Sequence, residues 1–383
     1  MKKFFNKSTL VVISVLLISM LIAGCSNQSA QTPEPSKEEQ SEELPEIRLS
    51  WGNDLHTAIP YVPIKLVDEF KKTGVYFNPL SEDKFELIEN GKKLAIISFI
   101  PTKGGSEVAT LMGQNHLDAA LTSNTAMLTA IDKGTDIKIL HPVQTGGISL
   151  VFSPDKDFYG WEQVKDYIVN SNVPVKIGYH SPISGPRILM ESILKEEGLK
   201  VTEDPGDASA DVLLVDLKGA NNLIPSLSGK QVDAWVGPTA YPETAEYRNL
   251  GKIVLKLEDF PPKGKWTNFP CCIFAVRQEI ADNHPEVVKA LTHLLDESCK
   301  FCMEKRPEAA EALSGFIGIE AEIIENATIR YTTDPSEEWL NGIKVYVDAL
   351  NKMDKFSDRL KGKDFDEVVK QAFDFSFINE LNK

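Results

Sequence analysis

The chain has 383 residues, of which 42% are hydrophobic, and its formal net charge at pH 7 is −15. This excess of acidic residues argues against a nucleic acid as partner, because binding to a phosphate backbone requires a basic surface. The charge does not exclude a small ligand, since a buried site sets its own local field. The length is more than one ordinary hydrophobic core fills and favours two domains.

The first 25 residues have the pattern of a secretory signal. Lys2 and Lys3 precede an apolar run that ends at Ile22, and the segment Leu-Ile-Ala-Gly-Cys (21–25) resembles a bacterial lipobox. A transmembrane anchor is the alternative, but an apolar core of roughly 15 residues is short for a bilayer. We therefore expect a lipoprotein signal peptide at residues 1–24, lipidation of Cys25 and an extracytoplasmic protein tethered to the cell membrane by acyl chains.

Residues 25–45 form the predicted link between this anchor and the folded part. Beyond the cysteine, they are mostly Ser, Gln, Glu, Pro, Thr and Lys. Such a segment buries too little apolar surface to offset the entropy lost on ordering. The sequence therefore predicts a disordered linker, with folded structure starting near Ile47.

From there on, short apolar strands alternate with amphipathic helices, which is typical of α/β domains with parallel sheets. Asn90-Gly91 predicts a hairpin, because both residues tolerate positive φ. A second α/β unit begins near residue 148, and the chain from Pro285 is predicted to be almost entirely helical. The main predicted strands are 47–51, 85–88, 94–99, 117–121, 137–140, 149–152, 175–179, 212–215, 232–236 and 272–276.

Polar turns follow several of these strands and open the next helix. In an open α/β sheet, ligands bind at the carboxyl ends of the strands, where a helix N-terminus offers unpaired N–H groups to an anion. Helix capping explains any one of these turns equally well. Their recurrence in both halves favours a single cleft between two domains. The turns are 52–57, 103–106, 122–125, 181–185 and 237–239.

The order and spacing of several segments carry a family resemblance. These are GQNHLDAALTS (113–123), AMLTAIDKG (126–134), KIGY (176–179), KQVDAWV (230–236), AVR (275–277) and HPEVVKA (284–290). Together they resemble the extracytoplasmic substrate-binding proteins of nitrate/sulfonate/taurine-type ABC transporters, whose relatives also bind thiamine-precursor pyrimidines. The resemblance runs from about Gly52 to Gly318.

The resemblance implies the type II periplasmic-binding-protein fold, an α/β architecture of two lobes. Each lobe would hold a mostly parallel sheet flanked by helices, and two crossover strands would join them. Lobe 1 would combine residues 46–147 with 265–383, and lobe 2 would hold residues 148–264. The link between the first strands, residues 73–93, is longer than is usual in the family.

The implied function is that of a lipid-anchored solute receptor. It would bind a small polar, anionic ligand of the sulfonate, nitrate or taurine kind and deliver it to an ABC permease with its cytoplasmic ATPase. No cofactor and no metal is implied. A surface ligand sensor or an enzyme on the same fold, and a receptor for a pyrimidine, are the alternatives. The sequence contains no P-loop, no Gly-x-Ser-x-Gly elbow and no His-Glu-x-x-His, which argues against an enzyme.

Thirteen residues would face the ligand by this resemblance. His56 is equally consistent with an exposed turn histidine, and Trp235 with a core residue whose N–H finds a partner. Lys103 and Arg187 are the cations nearest the predicted turns, although solvated positions suit both. The thirteen are Asn53, Asp54, His56, Thr57, Ser123, Asn124, Thr125, Gly146, Gly147, Ser184, Gly185, Trp235 and Pro238.

Four cysteines follow Cys25 in the chain. Cys271 and Cys272 are adjacent in a predicted strand, so their side chains are expected on opposite faces, whereas Cys299 and Cys302 lie on a predicted helix. A strand-to-helix disulfide, free buried thiols and a four-thiolate metal site are all consistent with these spacings. Alternation in the strand counts against the metal site. We therefore expect free thiols or one disulfide, remote from the ligand.

Overall fold

Residues 43–52 and 54–381 are described by the computed structural model. The predicted signal peptide, Cys25, most of the linker and Asn53 lie outside these residues. The strands are β1 Glu46–Trp51, β2 Val75–Pro79, β3 Lys84–Glu89, β4 Lys92–Pro101, β5 Ala119–Ser123, β6 Ile137–Pro142, β7 Gln144–Gly146, β8 Ile148–Phe152, β9 Val175–Tyr179, β10 Val201–Thr202, β11 Val212–Asp216, β12 Ala234–Pro238, β13 Lys252–Lys256, β14 Cys272–Arg277 and β15 Ile329–Tyr331.

Helices follow most of the strands and fill the C-terminal third. They are α1 Tyr61–Lys65, α2 Val67–Phe70, α3 Gly105–Gly113, α4 Asn124–Asp132, α5 Trp161–Val169, α6 Gly185–Glu196, α7 Leu223–Ser228, α8 Tyr241–Tyr247, α9 Gln278–Asn283, α10 Pro285–Glu304, α11 Arg306–Ile317, α12 Ala321–Glu325, α13 Glu337–Lys352, α14 Phe365–Ala372 and α15 Ser376–Leu381. Short 3₁₀ helices span Lys71–Thr73, Ala220–Asn222 and Leu257–Asp259.

Thirteen of these strands build two mixed sheets, which confirms the α/β class, and β7 pairs with β15 in a separate two-stranded sheet. The first sheet has the order β2-β3-β4-β1-β5-β14-β6 and the second β10-β11-β9-β12-β8-β13. Strands β4, β1 and β5 run parallel, as do β10, β11, β9 and β12. Strand β14 lies antiparallel between β5 and β6, because the chain re-enters the first sheet from the second. We call each sheet, with the helices packed on it, the first and the second lobe.

Local backbone conformation explains the predicted hairpin and a break between two helices. Asn90 and Gly91 have φ of 50° and 81°, so β3 turns tightly into β4, as the Asn-Gly pair predicts. After β1 the chain forms two short helices, α1 and α2, rather than one continuous helix, because Leu66 leaves the helical region at φ −112°. The lobe boundaries at 147/148 and 264/265 stay a prediction, since residues 44–383 form one compact unit.

The chain returns to the first lobe through a buried stretch that we call the return segment, residues 269–272. Its carbonyl groups accept backbone N–H bonds from the first lobe: Gly146 to Phe269, Asn124 to Cys271 and Val143 to Cys272, at 2.9 to 3.0 Å. The side-chain amide of Asn124 donates a second bond to the Cys271 carbonyl, at 2.8 Å. The backbone of the return segment is thereby fixed residue by residue.

Helix α13 closes over the return segment at Gly342. A Cβ built on this glycine would lie 2.2 Å from Cδ and 2.6 Å from Cγ of Pro270. Only a glycine allows the helix backbone to approach the proline ring so closely. Within the described residues, no helix combines the length and apolar character needed to cross a membrane.

Gly342→Ala should therefore destabilise the protein, although alanine normally stabilises a helix by about 0.5–1 kcal/mol over glycine. Displacing Pro270 is an overpacking change, which typically costs 1–3 kcal/mol. The matched control is Gly315→Ala in helix α11, where nothing lies within 4 Å of the new methyl group. We expect urea unfolding to give opposite signs for the two variants. Equal stabilisation by both would contradict this packing.

Candidate functional site

A cavity of about 490 Å³ lies between the two sheets. Its wall consists of turns that follow the carboxyl ends of parallel strands from both lobes, together with the start of the antiparallel strand β14. This is where ligands bind in open α/β sheets. From the first lobe the wall includes Gly52, Asp54, His56, Thr57, Thr102, Lys103, Gly104, Gly105, Thr122, Ser123, Cys271 and Cys272. From the second it includes His180, Ser184, Pro186, Lys218, Asn222, Pro238 and Tyr241.

Three helices of nine or more residues begin at this wall: α3, α4 and α6. Ser123 and Ser184 cap the last two, each accepting a backbone N–H bond at 3.4 Å. Gly104 precedes α3 without a side-chain cap. Because helix N-termini carry partial positive charge, their convergence favours a negatively charged group in the cavity.

Two exposed lysines, Lys103 and Lys218, add positive charge to the same wall. The Lys218 ammonium lies 2.5 Å from a carboxylate oxygen of Asp216 at the end of β11. The backbone N–H of Lys103 donates to a carboxylate oxygen of Glu107 at 2.7 Å. One lysine therefore comes from each lobe.

The lobes meet around the cavity through polar contacts. The hydroxyl groups of Ser106 and Ser181 lie 2.8 Å apart, and the Thr125 hydroxyl donates to the Ile183 carbonyl at 2.7 Å. On the opposite side, the N–H of Leu55 donates to the Thr239 carbonyl at 3.1 Å. Neutral hydrogen bonds of this kind contribute about 0.5–1.5 kcal/mol each.

The floor of the cavity carries what we call the thiol–imidazole cluster: His56, Cys271 and Cys272. All three residues are buried, at 2%, 1% and 5% exposure. The two sulfurs lie 3.9 Å apart, and the Cys272 sulfur lies 4.0 Å from Nδ1 of His56. All four cysteines of the described region are free thiols, so no disulfide joins any two of them.

Backbone and amide groups orient the His56 ring. Its Nε2–H donates to the Gly147 carbonyl at 2.7 Å, and its Nδ1 accepts from the amide nitrogen of Gln144 at 2.6 Å. The backbone N–H of His56 donates to Asp54 at 2.9 Å. The ring therefore presents Nδ1 toward the two sulfurs.

The pKa values of the cluster and its surroundings differ sharply. The hydrogen bond from Cys272 and the nearby His56 together lower the pKa of Cys271 to about 5, against the opposing effect of burial. Cys272, which donates that bond, has a pKa raised well above its ordinary value. Burial raises the pKa of Asp54 and lowers the pKa of His180 to about 4. At neutral pH the cluster thus holds one thiolate that shares the proton of its neighbour.

Six of the thirteen predicted ligand-facing residues lie on the cavity wall, and their ligand-binding role stays a prediction. They are Asp54, His56, Thr57, Ser123, Ser184 and Pro238. Asn53 lies outside the described residues. Arg187 is not on the wall, because it is buried in the second lobe and paired with Glu191 and Glu203 at 2.5 and 3.0 Å.

Six further residues lie behind the wall rather than on it. Trp235 is fully buried in a core of the second lobe with Val151 and Leu223. It lies near the start of β12, whereas Pro238, at the end of that strand, lines the cavity. Asn124 holds the Cys271 carbonyl, and Thr125 bridges the lobes. These three residues do not line the cavity, and their ligand-binding role stays a prediction.

The three predicted glycines are also absent from the cavity wall. A Cβ on Gly147 would lie 2.7 Å from Nε2 of His56, and a Cβ on Gly185 would lie 3.0 Å from the Tyr346 hydroxyl. Gly146 is part of the β7–β15 pairing, opposite Ile329. Gly147 and Gly185 therefore allow close approach of other groups, and none of the three glycines lines the cavity.

Sequence reasoning placed Cys271 and Cys272 on opposite faces of a strand, and this was wrong, because both lie on the cavity wall with their sulfurs 3.9 Å apart. The expectation that they are remote from the ligand stays a prediction. Strand β14 begins only at Cys272, so Cys271 belongs to the irregular return segment and the alternation rule does not apply. Pro270 directly before the pair was the available signal, since proline restricts the residue before it and interrupts a central strand.

Comparisons with known proteins identify the family. The chain matches the NMT1-like family over residues 42–318, close to the span of the sequence resemblance. It belongs to that family. An uncharacterized protein of Methanocaldococcus jannaschii is 27% identical over 154 residues, which cover 39% of this chain and 96% of the other protein.

Solved structures with this fold include several ABC-import components. The ligand-binding component of an ABC-type import system from Staphylococcus aureus, with zinc bound, has a TM-score of 0.66 and 15% identity over 88% of this chain and 98% of the other. The periplasmic nitrate-binding protein of Synechocystis PCC 6803 has a TM-score of 0.66 and 13% identity over 88% of both chains. The alkanesulfonate-binding protein of Xanthomonas axonopodis pv. citri, bound to MOPS, has a TM-score of 0.60 and 11% identity over 82% and 96%. These likenesses confirm the periplasmic-binding-protein fold.

The low pKa of Cys271 can be tested by thiolate absorbance in the far ultraviolet. As pH rises from about 4 to about 8, one thiolate should appear with a midpoint near pH 5, because Cys271 loses its proton in that range. Cys271→Ser should abolish the step. Cys302→Ser is the control, since burial raises the pKa of Cys302 to about 12 and its thiol stays protonated throughout. A wild-type protein with no absorbance step below pH 8 would refute the assignment.

Proposed function

We propose that this protein is the extracytoplasmic receptor of an ABC importer, binding a small anionic solute in the cavity and delivering it to the permease. The observation that carries the proposal is the single cavity walled by turns from both lobes. Three helix N-termini and two lysines give that cavity the charge an anion requires. The family membership and the fold shared with nitrate- and alkanesulfonate-binding proteins support the same solute class.

The mechanism that we propose is closure of the two lobes on the solute. A solute that contacts both walls has a higher affinity for the closed than for the open arrangement, so its binding shifts the equilibrium toward closure. The Ser106–Ser181 and Thr125–Ile183 contacts are too weak to hold the lobes together alone. The permease then recognises the closed shape.

The proposal includes the membrane anchor. Lipid on Cys25 holds the receptor at the membrane, and the polar linker of residues 25–45 gives the lobes room to reach the permease. Acyl chains restrict diffusion to the membrane surface, which raises the effective concentration of receptor around the permease.

A thermal-shift screen on the full chain, purified in detergent with EDTA, would identify the solute. The panel is nitrate, alkanesulfonates, taurine, small carboxylates and pyrimidines, because a ligand that binds only the folded state raises the melting temperature. A shift with pyrimidines alone would favour a pyrimidine receptor. Chemical conversion of a bound compound would favour an enzyme on this fold.

Lys103→Met and Lys218→Met should each weaken binding of the anion that the screen identifies. A hydrogen bond to a charged group contributes about 1.5–3 kcal/mol, which corresponds to a roughly 10- to 150-fold rise in Kd, measured by titration calorimetry. Lys344→Met is the matched control, because Lys344 lies exposed on α13 and away from the cavity. Unchanged affinity in the double lysine variant would contradict the proposed solute class.

A further inference from the structure

The thiol–imidazole cluster has the composition of a metal site. His56, Cys271 and Cys272 each offer one ligand atom, and these atoms all lie within 4.8 Å of one another. Two thiolates and one imidazole form a set that soft and borderline metal ions prefer. The transport proposal makes no use of these three side chains.

The distances between the ligand atoms fit a single ion. With metal–sulfur bonds of about 2.3 Å and metal–nitrogen bonds of about 2.0–2.1 Å, tetrahedral to trigonal angles place two sulfurs about 3.8–4.0 Å apart and sulfur and nitrogen about 3.6–3.8 Å apart. The observed separations are 3.9 Å for the sulfurs and 4.0 Å between the Cys272 sulfur and Nδ1 of His56. Small side-chain rotations close the remaining difference.

The surroundings of His56 resemble the outer shell of a metal-ligating histidine. Such a histidine usually donates its second ring N–H to a carboxylate or backbone carbonyl, which fixes the tautomer. Here Nε2–H donates to the Gly147 carbonyl, so Nδ1 faces the sulfurs. An ion would replace the Gln144 amide at Nδ1 and leave that amide to donate to a thiolate.

Two buried polar groups beside the cluster have no hydrogen-bond partner among the described residues. They are the hydroxyl of Tyr346 and the amide oxygen of Gln144. Tyr346 is 1% exposed, and its hydroxyl lies close to the Cys271 sulfur, since both would contact a Cβ on Gly185 at 3.0 and 3.3 Å. Unpartnered groups of this kind cost about 1–3 kcal/mol. Charged sulfurs around an ion would provide an acceptor for the tyrosine hydroxyl.

We propose that His56, Cys271 and Cys272 bind one thiophilic metal ion, of the zinc(II) or copper(I) class, at the floor of the cavity. Three protein ligands leave a fourth coordination position, as in zinc sites that bind an exogenous group. The cluster lines the cavity, so that position is open to a small molecule in the cleft. Cys299 and Cys302 take no part, because they are not among the atoms that converge with His56.

Metal titration of the full chain, stripped with EDTA and kept reduced, tests the site. We expect one equivalent of Zn²⁺ by calorimetry, and with Co²⁺ a thiolate-to-metal charge-transfer band together with the visible bands of a four-coordinate ion. Cys271→Ser, Cys272→Ser and His56→Gln should each weaken Zn²⁺ binding by more than about 100-fold, since outer-shell changes alone cost 10–100-fold. Cys299→Ser and Cys302→Ser are the matched controls and should bind as wild type does.

Adding one of the screened anions to the Co²⁺ form should change the visible bands, because the open position faces the cavity. No uptake of metal, or uptake unchanged in the Cys271→Ser/Cys272→Ser double variant, would overturn the proposal. Circular dichroism and melting temperature report whether each variant is folded, and the cysteine variants decide the question if His56→Gln does not fold. Because the solute screen is run in EDTA, failure of the metal site and failure of the solute proposal are separate outcomes.

Discussion

The backbone carbonyl of Cys271 holds two hydrogen bonds from one residue, Asn124, and the architecture of the site depends on this interaction. The backbone N–H and the side-chain amide of Asn124 both donate to it, at 2.9 and 2.8 Å. Asn124 is also the first residue of helix α4, whose cap Ser123 lies on the cavity wall. The same residue therefore ties the helix N-terminus to the strand that re-enters the first lobe.

This constraint explains why an anion-binding wall and a pair of thiols share one cavity. The return segment lies beside the carboxyl end of β5, where Cys272 pairs with Ser123, and Pro270 packs against Gly342. Its two cysteines face the turn that carries His56. The helix N-termini supply positive potential at the mouth, while the cluster supplies soft ligand atoms at the floor.

Local sequence predicts the α/β class, most strands and the Asn90-Gly91 hairpin. Whether an apolar run of strand length between turn residues forms a strand depends mainly on residues nearby in the chain. The turns on the cavity wall were predictable for the same reason, since they follow strand ends. Trp235 and Gly147 were not, because their environment depends on which elements pack behind the wall. For Ser184, the sequence predicted only that it could cap a helix. In the structure its hydroxyl donates to the Ser181 carbonyl, and the residue is 1% exposed.

The cysteines show most clearly where a local rule fails. Side chains alternate between the two faces only within a strand. A shift of the strand boundary by one residue decides whether Cys271 lies within β14 or before it. The position of that boundary is set by distant residues, namely Asn124 and Gly342. Long-range packing therefore determined the chemistry of the floor, and Pro270 directly before the pair was a local signal of it.

The central claim is that Cys271 and Cys272 face one another and the cavity. Phenylarsine oxide tests this most directly, because its arsenic bonds to two thiol sulfurs with loss of one water molecule only when both sulfurs are within reach. Treating the folded chain with one equivalent and sequencing the peptides by mass spectrometry should place a single arsenic across Cys271 and Cys272, whose sulfurs lie 3.9 Å apart. Arsenic found only after unfolding, or bound across Cys299 and Cys302 instead, would contradict the account.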